Sequence, residues 1–302
     1  MDEKLIVHLL GQGKSFYVKG EKMQGYKTES QYRDDIIEIC RRIYRNGWVA
    51  SNDGNVSIRI SPGEVLCTPT GMSKGYITQD QLVKVDMDGK KLEGSLEPSS
   101  EVRIHLDVYR NKKGIYSAVH AHPPYATAHA VAGIPLDQCV IPEIIISLGS
   151  IPLTQYGTPS TREIPDNIRK YLKDHNAFLM QNHGAFTIGA DVFQAYYRME
   201  SVELFAKISL LAGTLGNVRN ITEENVRKIM EIRPRLVRDD DGYAGCRIGD
   251  RFITDTDDYR VPEVGEGGRA PAPAGDESIT IKKSELVDMV YNIVANIVNR
   301  GK

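Results

Sequence analysis

Apolar positions recur along the chain with two different periods, and the switches between them mark the elements. In ESQYRDDIIEICRRIYRNGW, Ile36, Ile39, Cys40 and Ile43 fall at helical spacing behind Ser30, a capping residue type, which predicts an amphipathic helix closed near Gly47. The period then drops to two: NVSIRI alternates, VLCTPT is a short run of strand formers, and LVKVDMDG alternates up to a D-G turn, giving three strands joined by turns. PSSEVRIHLDVYR reads as a helix, YSAVHAH as a strand, PPYATAHAVAG as a short helix and TREIPDNIRKYLKDH as a surface helix. AFLMQ and AFTIG, joined through NHG, make a hairpin or tight strand connection. A long helix follows over residues 191–215, with Ala195, Met199, Val202, Phe205 and Ala206 on one face.

Strands and helices in blocks, without a βαβ rhythm, predict an α/β (α+β) fold with a central, mostly antiparallel sheet flanked by helices, in one domain spanning residues 30–235. Residues 1–29, interrupted by Gly11, Gly13, Gly20 and Gly25, read as an irregular arm, and residues 236–261 as a charged, weakly periodic extension. PEVGEGGRAPAPAGDES, residues 262–278, has the composition of a flexible linker. Residues 279–302 read as a separate helix with an apolar stripe of Leu286, Val290, Ile293 and Ile297, joined by Val287, Val294 and Val298. Such a face takes a partner.

Composition narrows the function. A chain of 302 residues, 41% hydrophobic and 26% charged, buries a real core without disulfides or a structural metal, so any metal is expected to be functional. A net charge of -2 with no basic block argues against nucleic acid and anionic membranes as partners. Cys40, Cys67, Cys139 and Cys246 show no C-x-x-C spacing, the pattern of reduced structural thiols. MDEKLIVHLLGQGKSF lacks the features of a signal peptide and no long apolar run follows, so a cytoplasmic location is expected.

Three of the seven histidines crowd into VHAHPPYATAHA. On a strand, His120 and His122 leave the same face and can chelate a metal, although a hydrogen-bonded polar pair fits the spacing equally well. His183 in NHG and Glu101 in PSSE complete a set of three imidazoles and a carboxylate, the carboxylate free to bind a divalent ion or to carry a proton. His129 and His105 read as core or supporting residues, His8 and His175 as surface residues. Ser99 and Ser100 at a helix N-terminus offer hydroxyls and N–H groups to an anion, or simply cap the helix; Gly54–Asn55 and Thr70–Gly71 supply glycine turns with small polar groups.

In this order and spacing, GNVSIRI, TPTGMSKG, EPSSEVRIHLDVYR, VHAHPPYATAHA and QNHGAFTIG resemble the class II aldolase and adducin family over about residues 30–215, and within it the fuculose-phosphate aldolases. The resemblance implies a homotetramer with active sites between subunits and one Zn²⁺ per chain, held by His120, His122 and His183. It implies that Glu101 is metal neighbour and proton carrier, and that Gly54, Asn55, Thr70, Gly71, Ser99 and Ser100 hold a substrate phosphate. The implied reaction cleaves a 6-deoxyketose 1-phosphate, of fuculose or rhamnulose, to dihydroxyacetone phosphate and lactaldehyde. Related pentulose-phosphate 4-epimerases carry aspartate where Glu101 stands; a sugar-phosphate dehydratase is a further alternative, and the intact metal set argues against a non-catalytic adducin-like binding protein. Fuculose-phosphate aldolases supply a tyrosine across the subunit boundary to polarise the aldehyde. PEIIISLGSIP, residues 142–152, has none there, leaving Glu143, Tyr156, Tyr243 or Tyr259 to substitute. The linker and last helix resemble the encapsulation peptides of bacterial microcompartment cargo, which implies a shell protein as partner; docking of the helix on its own domain or on a neighbouring tail is the rival.

Overall fold

The structure, a computed structural model, describes residues 16–18, 21–23, 27–216, 218–237 and 242–254. Two short strands, β1 (Phe16–Val18) and β2 (Glu21–Met23), pair antiparallel where the sequence suggested an irregular arm. Helix α1 (Glu29–Arg45) starts two residues earlier than expected, because Thr28 and Gln31 form a reciprocal capping box and Ser30 lies inside the helix. Ile36, Ile39, Cys40 and Ile43 are all buried, as the helical period required.

The central sheet contains β3 (Asn55–Ser61), β4 (Glu64–Cys67), β5 (Val83–Asp86), β6 (Lys91–Glu93), β7 (Ser117–Ala121), β8 (Leu153–Thr154), β9 (Ala177–Met180) and β10 (Gly184–Gly189). Its strand order is β6-β5-β4-β3-β7-β10-β9-β8, antiparallel throughout except for the parallel β8–β9 pair. Alternation along each strand feeds two cores. Val56 and Ile58 of β3 and Val119 and Ala121 of β7 pack with α1, α3 (Pro124–Ala132) and α6 (Val192–Leu215). Ala118, Phe178, Phe186 and Ile188 pack against α2 (Val102–Asn111) and α5 (Glu163–Arg169) on the other face. The stripe foreseen on α6, from Ala195 to Ala206, is buried in the first core.

A third, smaller core joins α4 (Pro142–Ser147), α7 (Glu223–Leu236) and a hairpin of β11 (Cys246–Ile248) and β12 (Arg251–Ile253). The hairpin replaces part of the expected charged extension, and its anchoring corrects the reading of the cysteines: Cys139 and Cys246 form a disulfide, while Cys40 and Cys67 are free and buried. No local spacing announces a pair separated by 107 residues. It forms because Arg247 brings β11 to the 137–139 segment, its guanidinium paired twice with Asp137 at 2.8 and 2.9 Å and its backbone N–H donated to the Asp137 carbonyl.

The expected surface helix is shorter than its period suggested, and Ile164, Ile168, Tyr171 and Leu172 face inward. His175 is consequently no surface residue but 2% exposed, bonded to Ser150 and Tyr171. Among the described residues no helix is long and apolar enough to cross a membrane. His8 and the stripe from Leu286 to Ile297 lie outside the described residues.

Candidate active site

The site forms where β3, β7 and β10 lie side by side. His120 is on β7, opposite Asn55 of β3 on one side and Phe186 of β10 on the other. Its Nδ1 is 2.9 Å from the Ala185 carbonyl, which only accepts, so Nδ1 carries the proton and Nε2 presents a lone pair. β7 ends at Ala121; His122 is held just past it by its N–H on the Trp48 carbonyl. The two Nε2 atoms are 3.2 Å apart. His183 sits in the β9–β10 turn, behind Asn182 at φ 55° and with its N–H on the Met180 carbonyl. The next residue has to be glycine, since a Cβ at 184 would come within 2.6 Å of the Ala121 oxygen and of His122 Cδ2.

Glu101 caps α2, and its carboxylate faces this triad, Oε1 3.2 Å from His183 Nε2 and Oε2 3.5 Å from His120 Nε2. The residues fit a metal ion. One nitrogen from each of His120, His122 and His183 lies within 4.8 Å of the others. Donors around a tetrahedral zinc, about 2.0–2.1 Å from it, stand about 3.3 Å from one another, close to the separations among the imidazole and carboxylate atoms here. Burial, reinforced by the neighbouring imidazoles, pushes His120 well below its ordinary pKa, and burial lowers His183 against the opposing pull of Glu101. Both rings are therefore neutral and ready to donate near neutral pH.

The residues expected to hold phosphate meet beside Glu101. Thr68 donates its N–H to the Val56 carbonyl, takes the Val56 N–H on its hydroxyl and accepts from the N–H of Ser99, and the Thr70 N–H donates to the Glu97 carbonyl, so the turns at 54–55, 70–71 and 99–100 share one rim. Gly54 and Gly71 take φ values of 73° and 74°, and a Cβ at Gly54 would meet the His120 oxygen at 2.8 Å. Asn55 is spent differently: its side-chain amide donates to Glu101 Oε2 at 2.8 Å and its oxygen faces His105 Nε2. Two residues escaped the sequence reading. Asp53 lies 3.5 Å from His122 Nδ1, on the side away from the triad, and Lys74 is 1% exposed with Nζ donating to the Asn52 and Met72 carbonyls. Only their positions inside SNDGN and TGMSKG, next to the glycine turns, hinted at them. Of the stand-ins for the missing tyrosine, Tyr243 donates its hydroxyl to Ile145, Tyr156 and Glu143 are exposed, and Tyr259 is outside the described residues.

Residues 34–210 match the family described as Class II Aldolase and Adducin N-terminal domain. The chain belongs to this family. Over 199 residues it is 32% identical to an L-fuculose phosphate aldolase of Escherichia coli, covering 65% of this chain and 91% of that one. Over 191 residues it is 31% identical to a 3-oxo-tetronate 4-phosphate decarboxylase of Escherichia coli K12, covering 62% and 90%. The crystal structure of YgbL from Escherichia coli superposes with a TM-score of 0.63 at 29% identity, over 67% of this chain and 99% of that chain. As a member of this family the chain is a lyase, and it has a central sheet flanked by helices and a three-histidine group suited to a metal.

Proposed function

We propose that this class II aldolase cleaves a 6-deoxyketose 1-phosphate, L-fuculose 1-phosphate or L-rhamnulose 1-phosphate, to dihydroxyacetone phosphate and lactaldehyde. The observation carrying the proposal is the carboxylate of Glu101 set 3.2 and 3.5 Å from two of three converging imidazoles, beside a rim of glycine turns and serines. His120, His122 and His183 would hold a divalent ion of the zinc type, which supplies Lewis-acid stabilisation to negative charge on the substrate oxygens. Gly54, Thr70, Gly71, Ser99 and Ser100 bind and orient the phosphate, with Asn55 contributing its backbone. As the bond between C3 and C4 breaks, the proton of the C4 hydroxyl passes to water, the C4 oxygen becomes that of the aldehyde, and the electron pair stays on the three-carbon fragment as an enediolate. Glu101 delivers a proton to C3, and removes it in the condensation direction.

The identity to a 3-oxo-tetronate 4-phosphate decarboxylase favours one second reading. Loss of carbon dioxide from such an acid leaves the same three-carbon enediolate, protonated at the same carbon, so one set of residues serves either leaving group. Product analysis on fuculose 1-phosphate, rhamnulose 1-phosphate and 3-oxo-tetronate 4-phosphate separates them. Lactaldehyde from either ketose phosphate supports the aldolase, and turnover of the acid alone replaces it.

The proposal extends to assembly. An apolar row on α6, Leu204, Ile208, Leu211 and Leu215, is 39–90% exposed at helical spacing, which supports burial between subunits of a homotetramer. The sequence of residues 262–302 supports cargo targeting, its helix lying against a shell protein of a cytoplasmic microcompartment that confines the aldehyde.

A further inference from the structure

We infer that His105 is a positioning residue for Glu101, acting through the side chain of Asn55. His105 follows Glu101 by one helical turn, yet its ring faces β3: Nε2 is 2.5 Å from Asn55 Oδ1, and Nδ1 is 2.7 Å from Ser57 Oγ. Asn55 Nδ2 donates to Glu101 Oε2 at 2.8 Å. One turn further along α2, the Tyr109 hydroxyl donates to Ser57 Oγ at 2.6 Å, with the Ser57 carbonyl at 3.1 Å.

Elementary donor and acceptor rules fix every proton in this chain. A carboxylate only accepts, so Asn55 must turn its NH₂ towards Glu101 and its oxygen towards His105. An amide oxygen only accepts, so His105 carries its proton on Nε2. Burial holds the ring neutral, its pKa lowered to about 3, and a neutral ring protonated on Nε2 accepts at Nδ1. Ser57 therefore donates its hydroxyl to that nitrogen. The bonds run one way, from Ser57 through His105 and Asn55 to the carboxylate.

Asn55, Ser57, His105 and Tyr109 are each at most 3% exposed, so water does not replace a lost partner. The amide of Asn55 cannot flip without opposing its NH₂ to His105 Nε2–H and its oxygen to the carboxylate. Glu101 is thereby held by Oε2, which leaves Oε1 towards His183. Without His105 the amide loses what sets its orientation, and the carboxylate loses its fixed donor.

This inference rests on the reading of Glu101 as proton carrier, and the test keeps the two apart. His105→Leu, His105→Gln, Glu101→Gln and the double variant combining His105→Leu with Glu101→Gln are compared in the full chain. Turnover of the zinc-loaded enzyme is measured, together with zinc affinity by competition against a chromophoric chelator. His105→Leu is expected to lower kcat about 10–100-fold with KM little changed and to weaken zinc binding, since supporting partners of metal sites carry effects of that order. His105→Gln, which restores a donor to Asn55, is expected to recover most of both losses. On the Glu101→Gln background the leucine substitution should add little, because the two act as one unit. A folded His105→Leu enzyme with wild-type kcat and zinc affinity overturns the inference, as does a loss that persists in full on the Glu101→Gln background. Wild-type turnover in Glu101→Gln itself would instead overturn the role of Glu101. Should His105→Leu fail to fold, Ser57→Ala removes only the hydroxyl orienting the ring; a fall in kcat of about threefold or more supports the inference and unchanged turnover overturns it.

Discussion

His175 shows what a single buried ring does to the pH dependence of the fold. Its Nδ1 donates to the Tyr171 carbonyl and its Nε2 accepts from Ser150, while Lys112 holds the His175 carbonyl. Burial lowers its pKa to about 4, against about 6.5 in the unfolded chain. The native state therefore favours the neutral ring. Its contribution to stability is complete above pH 6.5 and drains away as pH falls from there to about 4, by roughly 3 kcal/mol. Urea unfolding at intervals between pH 7 and 4 should show a flatter profile in His175→Asn, which keeps a donor for Tyr171 but cannot titrate. The sequence misplaced this residue because its neighbours in YLKDH are largely polar, whereas the burial comes from Ser150 and Phe178, elsewhere in the chain. His120, His122 and His183 were legible because a strand, its end and a glycine turn leave little freedom in where a side chain points. The side-chain role of Asn55 was not, since nothing in GNVSIRI tells that Glu101 and His105 will face it.

At the scale of elements, the rim beside Glu101 depends on how two loops are fastened. Lys74 lies wholly inside, and its ammonium ties the Asn52 carbonyl of one glycine turn to the Met72 carbonyl of the other; burial lowers its pKa while Asp53 and Glu101 act in the opposite direction. Lys74→Met preserves the stem and removes both bonds. A loss of about 1–3 kcal/mol in urea unfolding is expected, from two carbonyls left without their donor. KM for the phosphorylated substrate should rise several-fold, because the turn at 54–55 no longer holds its distance from the turn at 70–71. Periodicity located six of the eight strands of the main sheet, since alternation is a local property, but the edge strands β6 and β8, three and two residues long, are too short to show a period. The boundaries set by particular side chains were less visible: Thr28 in place of Ser30 at α1, and an early end to α5.

At the scale of the whole molecule, the sheet, its two cores and the metal-binding group all lie within residues 27–254. Removal of residues 262–302 is expected to leave zinc content, turnover and assembly unchanged while abolishing co-localisation with shell proteins. Fluorescence imaging beside a shell operon, with kinetics on the truncated enzyme, checks both halves. Unfolding or lost activity on truncation would assign the segment to the catalytic domain instead. The fold class could be read in advance because five ordered motifs span the sheet, but the small third core could not, being assembled from α4, α7 and a hairpin whose contacts are all distant in sequence.

The disulfide also changes the topology of the chain. With Cys139 joined to Cys246, everything between them is a closed ring carrying His183, whereas Glu101, His120 and His122 belong to the open stretch before it. A protease cutting the connection between α6 and α7 would open the ring without releasing either piece. On a denaturing gel such a nicked chain should migrate near full length until a thiol is added, and only then separate, with His183 on one fragment together with the other two imidazoles and the last strands on the other.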